Sequence, residues 1–316
     1  MHVVVTGGAG FIGANLVRDL LRGGAHVTVL DDFSTGLRSN LDGCDVRLIE
    51  GSILDPETLD KGLSGTDAVV HLAARPSVPR SLLDPMASHL INATGTLHVL
   101  EAARRTNKPY VIIASSSSVY GANLAMPKSE DLVPMPVSPY AVSKLAAEQY
   151  GLSYNACFGL DILVFRFFNV YGPHQPAIHS YAAVIPAFVS AALTGQPLIV
   201  HGDGQQTRDF TFVGSVTEVL CAAIGRRVTM NRPVNLAFGT RASLLDVAGE
   251  LENILGRSLP LNHIQLRPGD VRDSQANNVR LRGLFPSAKS VLLPVGLRRT
   301  VDWFLASDQA SHASRK

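Results

Sequence analysis

Through the first half of the chain, short apolar runs alternate with stretches of helical period. Val3-Val4-Val5-Thr6 is a β-branched run, Phe11 to Arg22 is amphipathic, and His26 to Leu30 is apolar again. A turn-rich stretch then leads to Val46-Arg47-Leu48-Ile49, and Ala68 to Leu72 gives another strand. From Asn92 to Arg105, Leu97, Leu100 and Ala103 recur at helical spacing until Asn107 and Pro109 stop the pattern; Tyr110 to Ala114 and Asp161 to Phe167 are further apolar runs. Strand, helix and strand at this spacing predict a doubly wound, parallel α/β sheet. Between residues 121 and 139 four prolines, Pro127, Pro134, Pro136 and Pro139, break any period. That stretch reads as a long loop feeding a helix that starts near Pro139-Tyr140. Beyond Gly172 the elements no longer repeat cleanly. The expected division is a sheet-forming unit over 1–171, a smaller lobe over 172–306 with some chain returning to the sheet, and a polar tail over 307–316.

Composition narrows the classes. Of 316 residues 46% are hydrophobic and 17% charged, which suits a large packed core and excludes wholesale disorder. Twenty-eight Lys and Arg against 26 Asp and Glu leave +2, and the basic residues are scattered, so neither a nucleic-acid nor a membrane surface is indicated. Cys44, Cys157 and Cys221 lie far apart, and the histidines lack ligand spacing, so no metal site and no disulfide framework are expected. The N-terminal residues show no basic and apolar leader, and a cytoplasmic location is expected.

Two motifs carry chemistry. Gly8-Ala9-Gly10-Phe11-Ile12-Gly13 satisfies GxGxxG, follows an apolar strand and opens an amphipathic helix, with Asp31 closing the next strand. This is the Rossmann-like setting for a dinucleotide: glycines admit a pyrophosphate to the helix N-terminus, and a carboxylate takes the adenosine ribose hydroxyls and repels a 2′-phosphate, favouring NAD. Tyr140 and Lys144, one helical turn apart, share a face. A phenol has a pKa near 10, so its use as a base near pH 7 costs roughly 4 kcal/mol unless nearby positive charge, such as Lys144, offsets it. Ser115-Ser116-Ser117-Ser118 caps the apolar run Val111-Ile112-Ile113, and ligands of parallel sheets gather at such strand ends. Ser116 is the hydroxyl expected to face a substrate.

With these motifs the chain resembles the extended short-chain dehydrogenase/reductase family and, within it, the nucleotide-sugar 4-epimerases. The likeness spans about residues 1 to 305. It rests on Thr6 to Gly13, His71-Leu72-Ala73-Ala74, Ser116 to Gly121, Tyr140 to Lys144, Arg166 to Pro173, Gly202-Asp203-Gly204 with Arg208-Asp209-Phe210, and Arg267-Pro268-Gly269-Asp270. The resemblance implies catalysis by Ser116, Tyr140 and Lys144. It implies NAD held by Gly7, Gly10, Phe11, Ile12, Gly13, Asp31, Ser52, Ile53, Leu72, Ala73, Ala74 and Asn92 as well as Tyr140 and Lys144. A UDP-sugar is expected against Ser116, Ser117, Asn169, Arg208, Arg267, Asp270 and Ser274, the arginines matching phosphate oxygens. A homodimer through helices around 92 to 105 and 140 to 157, with Leu152 and Cys157 adding apolar surface, is implied as well.

Departures from the pattern shape the expectation. Ser52 stands where family members often carry Asp beside the adenine, and Gly214-Ser215 replaces an acidic pair. Family dehydratases place Asp-Glu where Ser117-Ser118 stand, which favours epimerisation, although Glu130 and Asp131 lie on the adjacent loop. Uronate 4-epimerases tend to have Thr and Arg where Asn169 and Pro176 occur. Four residues after Asp270, Ser274 matches a position where a tyrosine excludes N-acetyl sugars, so UDP-GlcNAc and UDP-GalNAc are expected beside UDP-glucose and UDP-galactose. His71 reads as a packed core imidazole, Trp303 as helix packing, and His201 as a residue that could stack on the base.

Overall fold

The computed structural model describes residues 1–177, 183–265 and 272–313, with side chains to residue 307. Six parallel strands, β1 (His2–Thr6), β2 (His26–Asp31), β3 (Arg47–Glu50), β4 (Ala68–His71), β5 (Tyr110–Ser116) and β6 (Ile162–Phe167), are joined by a seventh, Val234–Leu236, in the order Val234–Leu236, β6, β5, β4, β1, β2, β3. Sheet order reverses beside β1, the place where such sheets open a crevice at their carboxyl ends.

Strand side chains alternate between faces, and both faces are covered except at the edge strand β3, which is largely exposed. Val3 and Val5 join Leu16, Leu20, Ile112, Phe165 and Leu220 under the helices Phe11–Arg22 and Val213–Arg226. Val4 points the other way, into Leu30, Val69, Leu100, Ile113 and Val164 beneath Pro56–Leu63, Gly95–Arg105 and Pro139–Phe158. This double burial is why the strands read as unbroken apolar runs. A separate core of Phe188, Val189, Leu198, Val200, Phe212, Val247, Leu251, Leu297 and Val301 builds the second lobe.

Local signals set the helix that matters most. Ser138 accepts from the Ala141 N–H at 3.2 Å, Pro139 occupies the first turn, and Gly159 ends the helix at φ 65. Ahead of Gly95–Arg105, residues Leu90–Thr94 widen into a π-turn, so the helix expected from Asn92 is wound differently at its start. The proline-broken stretch folds back on the end of β5: Ala122 N–H donates to the Met135 carbonyl at 2.9 Å, and Met135 N–H to that of Val119 at 3.0 Å. Gly121 makes this approach possible, since a Cβ there would stand 1.9 Å from the Met135 oxygen at φ 46.

In the second lobe Thr207–Arg208 pairs antiparallel with Ala242–Ser243 and parallel with Asp273–Ser274, with Arg208 opposite both Ala242 and Ser274. No helix among the described residues is long and apolar enough to cross a membrane.

Candidate active site

A cavity of about 880 Å³ runs along the carboxyl ends of the strands, walled on the far side by the second lobe. At one end lies the glycine turn. Gly7 takes φ 70, and a Cβ on it would fall 2.7 Å from the Ala73 nitrogen; a Cβ on Gly13 would fall 2.3 Å from the Gly7 oxygen. The turn is therefore compact enough to leave the first N–H groups of the Phe11–Arg22 helix facing the cavity, an anion site. Asp31 is 5% exposed and accepts from the Ala9 and Phe33 N–H groups, both at 2.9 Å, one on each oxygen. Burial pushes its pKa up while those two N–H groups pull it down. Each oxygen keeps a second lone pair for a ligand hydroxyl. Asp32 accepts the Ser34 hydroxyl at 2.6 Å and also lines the cavity. Phe11, Ile12, Ile53, Leu72, Ala73 and Ala74 line it too.

Two expected cofactor residues do not. Ser52 turns its hydroxyl back on the chain, accepting from the Leu54 N–H at 3.2 Å, while Gly51 and Ile53 face the cavity. Asn92 is 1% exposed and spends its amide on protein: it accepts from Arg75 N–H at 2.8 Å and donates to the Arg75 carbonyl at 3.2 Å and the Ser143 hydroxyl at 3.0 Å. It ties the loop after β4 to the Pro139–Phe158 helix and stays behind the cavity wall.

Ser116, Tyr140 and Lys144 meet on the cavity floor. Ser116 Oγ receives the Ser118 N–H at 3.1 Å and the Ser118 hydroxyl at 2.9 Å, which leaves its own proton for the Tyr140 phenol, whose pKa it acts to lower. Ser118, assigned no role by the motif, orients Ser116; Ser117 does not line the cavity, because the chain turns into Ser117–Tyr120 there. Lys144 Nζ donates to the Ala114 carbonyl at 3.0 Å, and burial lowers its pKa to about 8. Burial also raises the Tyr140 phenol, with Ser116 acting in the opposite direction. The expected lowering by Lys144 is thus not what dominates: desolvation does, and the phenol is poised above its usual value.

Beneath this floor lies a buried network that pattern reading passed over. Glu148, one turn beyond Lys144, grips Arg166 of β6 at 2.6 and 2.9 Å and accepts the Ser115 hydroxyl at 2.8 Å. Arg166 lies over the Tyr120 ring at 4.7 Å, and Tyr120 donates to Asn235 Oδ1 at 2.6 Å. His71 is buried with both nitrogens used, Nδ1 at 2.8 Å from the Thr6 hydroxyl and Nε2 at 3.0 Å from that of Thr96. Thr96 donates its own proton to the Asn92 carbonyl, so Nε2 carries the imidazole proton and Nδ1 accepts from Thr6. Burial, then the charge of Lys144, lowers this histidine to about 3.

The second lobe supplies Arg208, His201, Gln206, Phe188 and Ile199 to the opposite wall, and Asn169, just after β6, lines the cavity too. Asp209, fully buried, anchors the turn after Arg208 by accepting from Gly239 N–H, Ala276 N–H and the Thr240 hydroxyl at 2.8 to 3.1 Å. Arg267 and Asp270 lie outside the described residues. Ser274 pairs beside Arg208 but does not line the cavity, so the size gate expected of it has no support in this arrangement. Several lining residues were given no ligand role from sequence. Arg80 follows Ser77, which holds φ 99; Asn40, His174 and Trp303 close the glycine end. Trp303, expected only to pack its helix, does so edge-on against Phe304 at 5.0 Å while also facing the cavity. Only the single GxGxxG signal marked this region, since these residues come from three distant segments.

The close-packed glycines, the helix N-terminus and the half-used Asp31 carboxylate together fit a dinucleotide bearing two free ribose hydroxyls, as NAD does.

Residues 3–237 match the model of the NAD dependent epimerase/dehydratase family. The chain is 35% identical to the UDP-glucose 4-epimerase of Mycolicibacterium smegmatis, over 98% of its own length and 100% of that protein's. Among solved structures it is similar to the UDP-N-acetylglucosamine 4-epimerase of Methanobrevibacter ruminantium M1 in complex with UDP-N-acetylmuramic acid, with TM-score 0.92 and 35% identity over 97% and 98% of the two chains. It is also similar to the UDP-glucuronic acid 4-epimerase of Bacillus cereus in complex with UDP-glucuronic acid and NAD, with TM-score 0.89 and 32% identity over 97% and 100%.

Proposed function

The chain belongs to the NAD dependent epimerase/dehydratase family, and from that membership we propose that it inverts C4 of a UDP-hexose through a transient 4-keto sugar. The observation that carries this reading is the Ser116–Tyr140–Lys144 constellation on the floor of the cavity. Bound NAD supplies the hydride acceptor and the return donor at C4. Tyr140, as the phenolate, takes the proton of the sugar 4-hydroxyl and becomes the neutral phenol, and the hydroxyl of Ser116, already oriented by Ser118, stabilises the phenolate before that transfer. Lys144, with a pKa of about 8, remains mostly charged at pH 7 and adds positive potential under the phenol. Arg208 on the opposite wall and Asn169 hold the diphosphate, so the ketose can turn within the cavity without leaving.

Carboxylate placement supports epimerisation over dehydration. Among the described residues the carboxylates lining the cavity are Asp31 and Asp32, at its glycine end. Glu130 accepts the Asn235 N–H at 2.9 Å, and Asp131 pairs with Arg232 and Arg280 at 3.1 and 2.9 Å, so neither is offered to a sugar. The substrates proposed are UDP-glucose/UDP-galactose and UDP-GlcNAc/UDP-GalNAc, the second pair now supported by the name of the Methanobrevibacter relative and no longer by Ser274. A second reading, 4-epimerisation of a UDP-uronate, is favoured by Arg80, which brings a guanidinium side chain to the cavity although Pro176 stands where an arginine was expected for such a substrate. Incubating the protein with NAD and each of UDP-glucose, UDP-GlcNAc and UDP-glucuronate, then reading C4 stereochemistry by NMR, tests both. Axial and equatorial C4 epimers from the neutral sugars are expected; a 4-keto-6-deoxy product would overturn epimerisation, and turnover of UDP-glucuronate alone would select the second reading.

The assembly we propose is a homodimer whose apolar seam lies nearer the chain segment 83–90 than helix 95–105. Leu83, Met86, Leu90 and Val142 are 46 to 76% exposed, and Pro85, Met86, Pro136, Val137 and Val142 line a shallow groove there. Leu152 instead packs partly against the core, and Cys157 is exposed.

A further inference from the structure

The glycine turn is roofed by residues that no motif marks and that arrive from both lobes. Asn40, on the short turn Arg38–Leu41, donates its Nδ2 to the Ala9 carbonyl at 2.9 Å, inside the GxGxxG loop. That bond fixes the amide, so Oδ1 faces outward and accepts from His174 Nδ1 at 3.2 Å. One residue earlier, the Pro173 carbonyl accepts from Asn15 Nδ2 at 2.9 Å, and the same amide group donates to the Phe11 carbonyl at 2.9 Å. A single two-residue segment thus straddles the start of the first helix, pinned on one side to the loop and on the other to the helix. His174 holds φ 66, a left-handed backbone uncommon outside glycine, which a local preference alone does not explain. Its ring rests 5.1 Å from that of Trp303 on the C-terminal helix. Asn40, His174 and Trp303 all line the same cavity as Gly7, Gly10 and Asp31.

We propose that Asn40, His174 and Trp303 form the outer wall of the NAD site, and that this wall, pinned across the glycine turn, holds the cofactor's diphosphate and adenosine end in place between turnovers. The inference rests on the NAD site and not on which sugar is epimerised. A cofactor seated on the helix N-terminus has the sheet behind it and this wall in front, so its departure requires the His174–Asn40 bond and the Trp303 contact to give way. The wall also answers a departure in the sequence. Ser52 replaces a carboxylate expected beside the adenine and turns away from the cavity, and retention is carried by contacts at the other side of the nucleotide. A reaction that returns its hydride within one turnover profits from a cofactor that stays.

The test is the rate at which NAD leaves. The protein, purified with NAD, is diluted into excess isotopically labelled NAD, and release is followed by mass spectrometry of the bound fraction. His174→Ala and Trp303→Leu should each release NAD at least tenfold faster than wild type, while Trp303→Phe, which keeps an aromatic face, stays within threefold. Leu305→Ala, on the same helix but away from the cavity, should release at the wild-type rate. Melting temperatures of the NAD-free variants show whether folding is altered; should Trp303→Leu fail to fold, His174→Ala decides. Release within twofold of wild type for His174→Ala would overturn the wall. A wild-type protein that carries and binds no NAD would overturn the cofactor site itself, a different and distinguishable result.

Discussion

His71 shows how a residue inside a motif can serve the fold. Its folded pKa of about 3 lies below the ordinary 6.5, so below pH 6.5 the unfolded chain binds a proton that the folded chain refuses. Stability from this group is complete above pH 6.5 and is lost as pH falls toward 3, up to about 5 kcal/mol across that window. Urea unfolding at pH 7 and pH 4 should show wild type losing several kcal/mol more than His71→Gln; parallel losses would assign the acid sensitivity elsewhere. At Tyr140 the expectation is functional. Tyr140→Phe should lower kcat at least a thousandfold while UDP-sugar affinity, read by calorimetry, changes only a few fold; retention of a tenth of kcat would place the base at another residue. Sequence made Tyr140, Lys144, Ser116 and Asp31 legible because a fixed spacing ties each to a strand end or helix face. Ser118 and Asn40 were not legible, since hydroxyl and amide directions depend on partners that spacing does not name. The placement of Asn92 was not legible for the same reason: its amide makes three hydrogen bonds, to Arg75 and Ser143.

The helix Pro139–Phe158 works through three residues at successive turns, Tyr140, Lys144 and Glu148, each meeting the end of β5: the phenol at Ser116, the ammonium at the Ala114 carbonyl, the carboxylate at Ser115. Glu148 and Arg166 are 0% and 2% exposed, so the pair sets the register of helix on sheet and pays for it in desolvation. Glu148→Ala, leaving Arg166 buried and alone, should cost about 3–5 kcal/mol in denaturant unfolding, and adding Arg166→Met should recover much of it. An uncompensated double variant as unstable as the single one would show that the pair's geometry, and not its charge balance, matters. The strands and main helices were readable from double burial and caps. The π-turn at Leu90–Thr94 was not, because a single wide turn ahead of a helix carries no residue pattern of its own.

On the scale of the molecule, the proposed catalytic and assembly surfaces share one helix: Lys144 faces inward and Val142 outward. Met86→Arg with Val142→Arg should convert a dimer to a monomer in light scattering, with the fold kept by circular dichroism; an unchanged mass would remove this patch from the assembly. The parallel sheet with a smaller lobe was legible from alternation, and the NAD site from its glycines. The crevice wall was hidden, because Asn40, His174 and Trp303 are neighbours only after the lobes pack, and sequence distance carries no trace of that.

The seventh strand, Val234–Leu236, sets an order of events during synthesis. It pairs with β6 in register Val234 to Phe165, Asn235 to Arg166 and Leu236 to Phe167, and Asn235 receives the Tyr120 hydroxyl. Until it emerges from the ribosome, β6 is an open edge beside the buried Arg166, available to any other strand. The sheet is therefore not completed by the first 171 residues: they must wait, vulnerable to mispairing, for more than sixty that follow, and chaperone demand should peak in that interval.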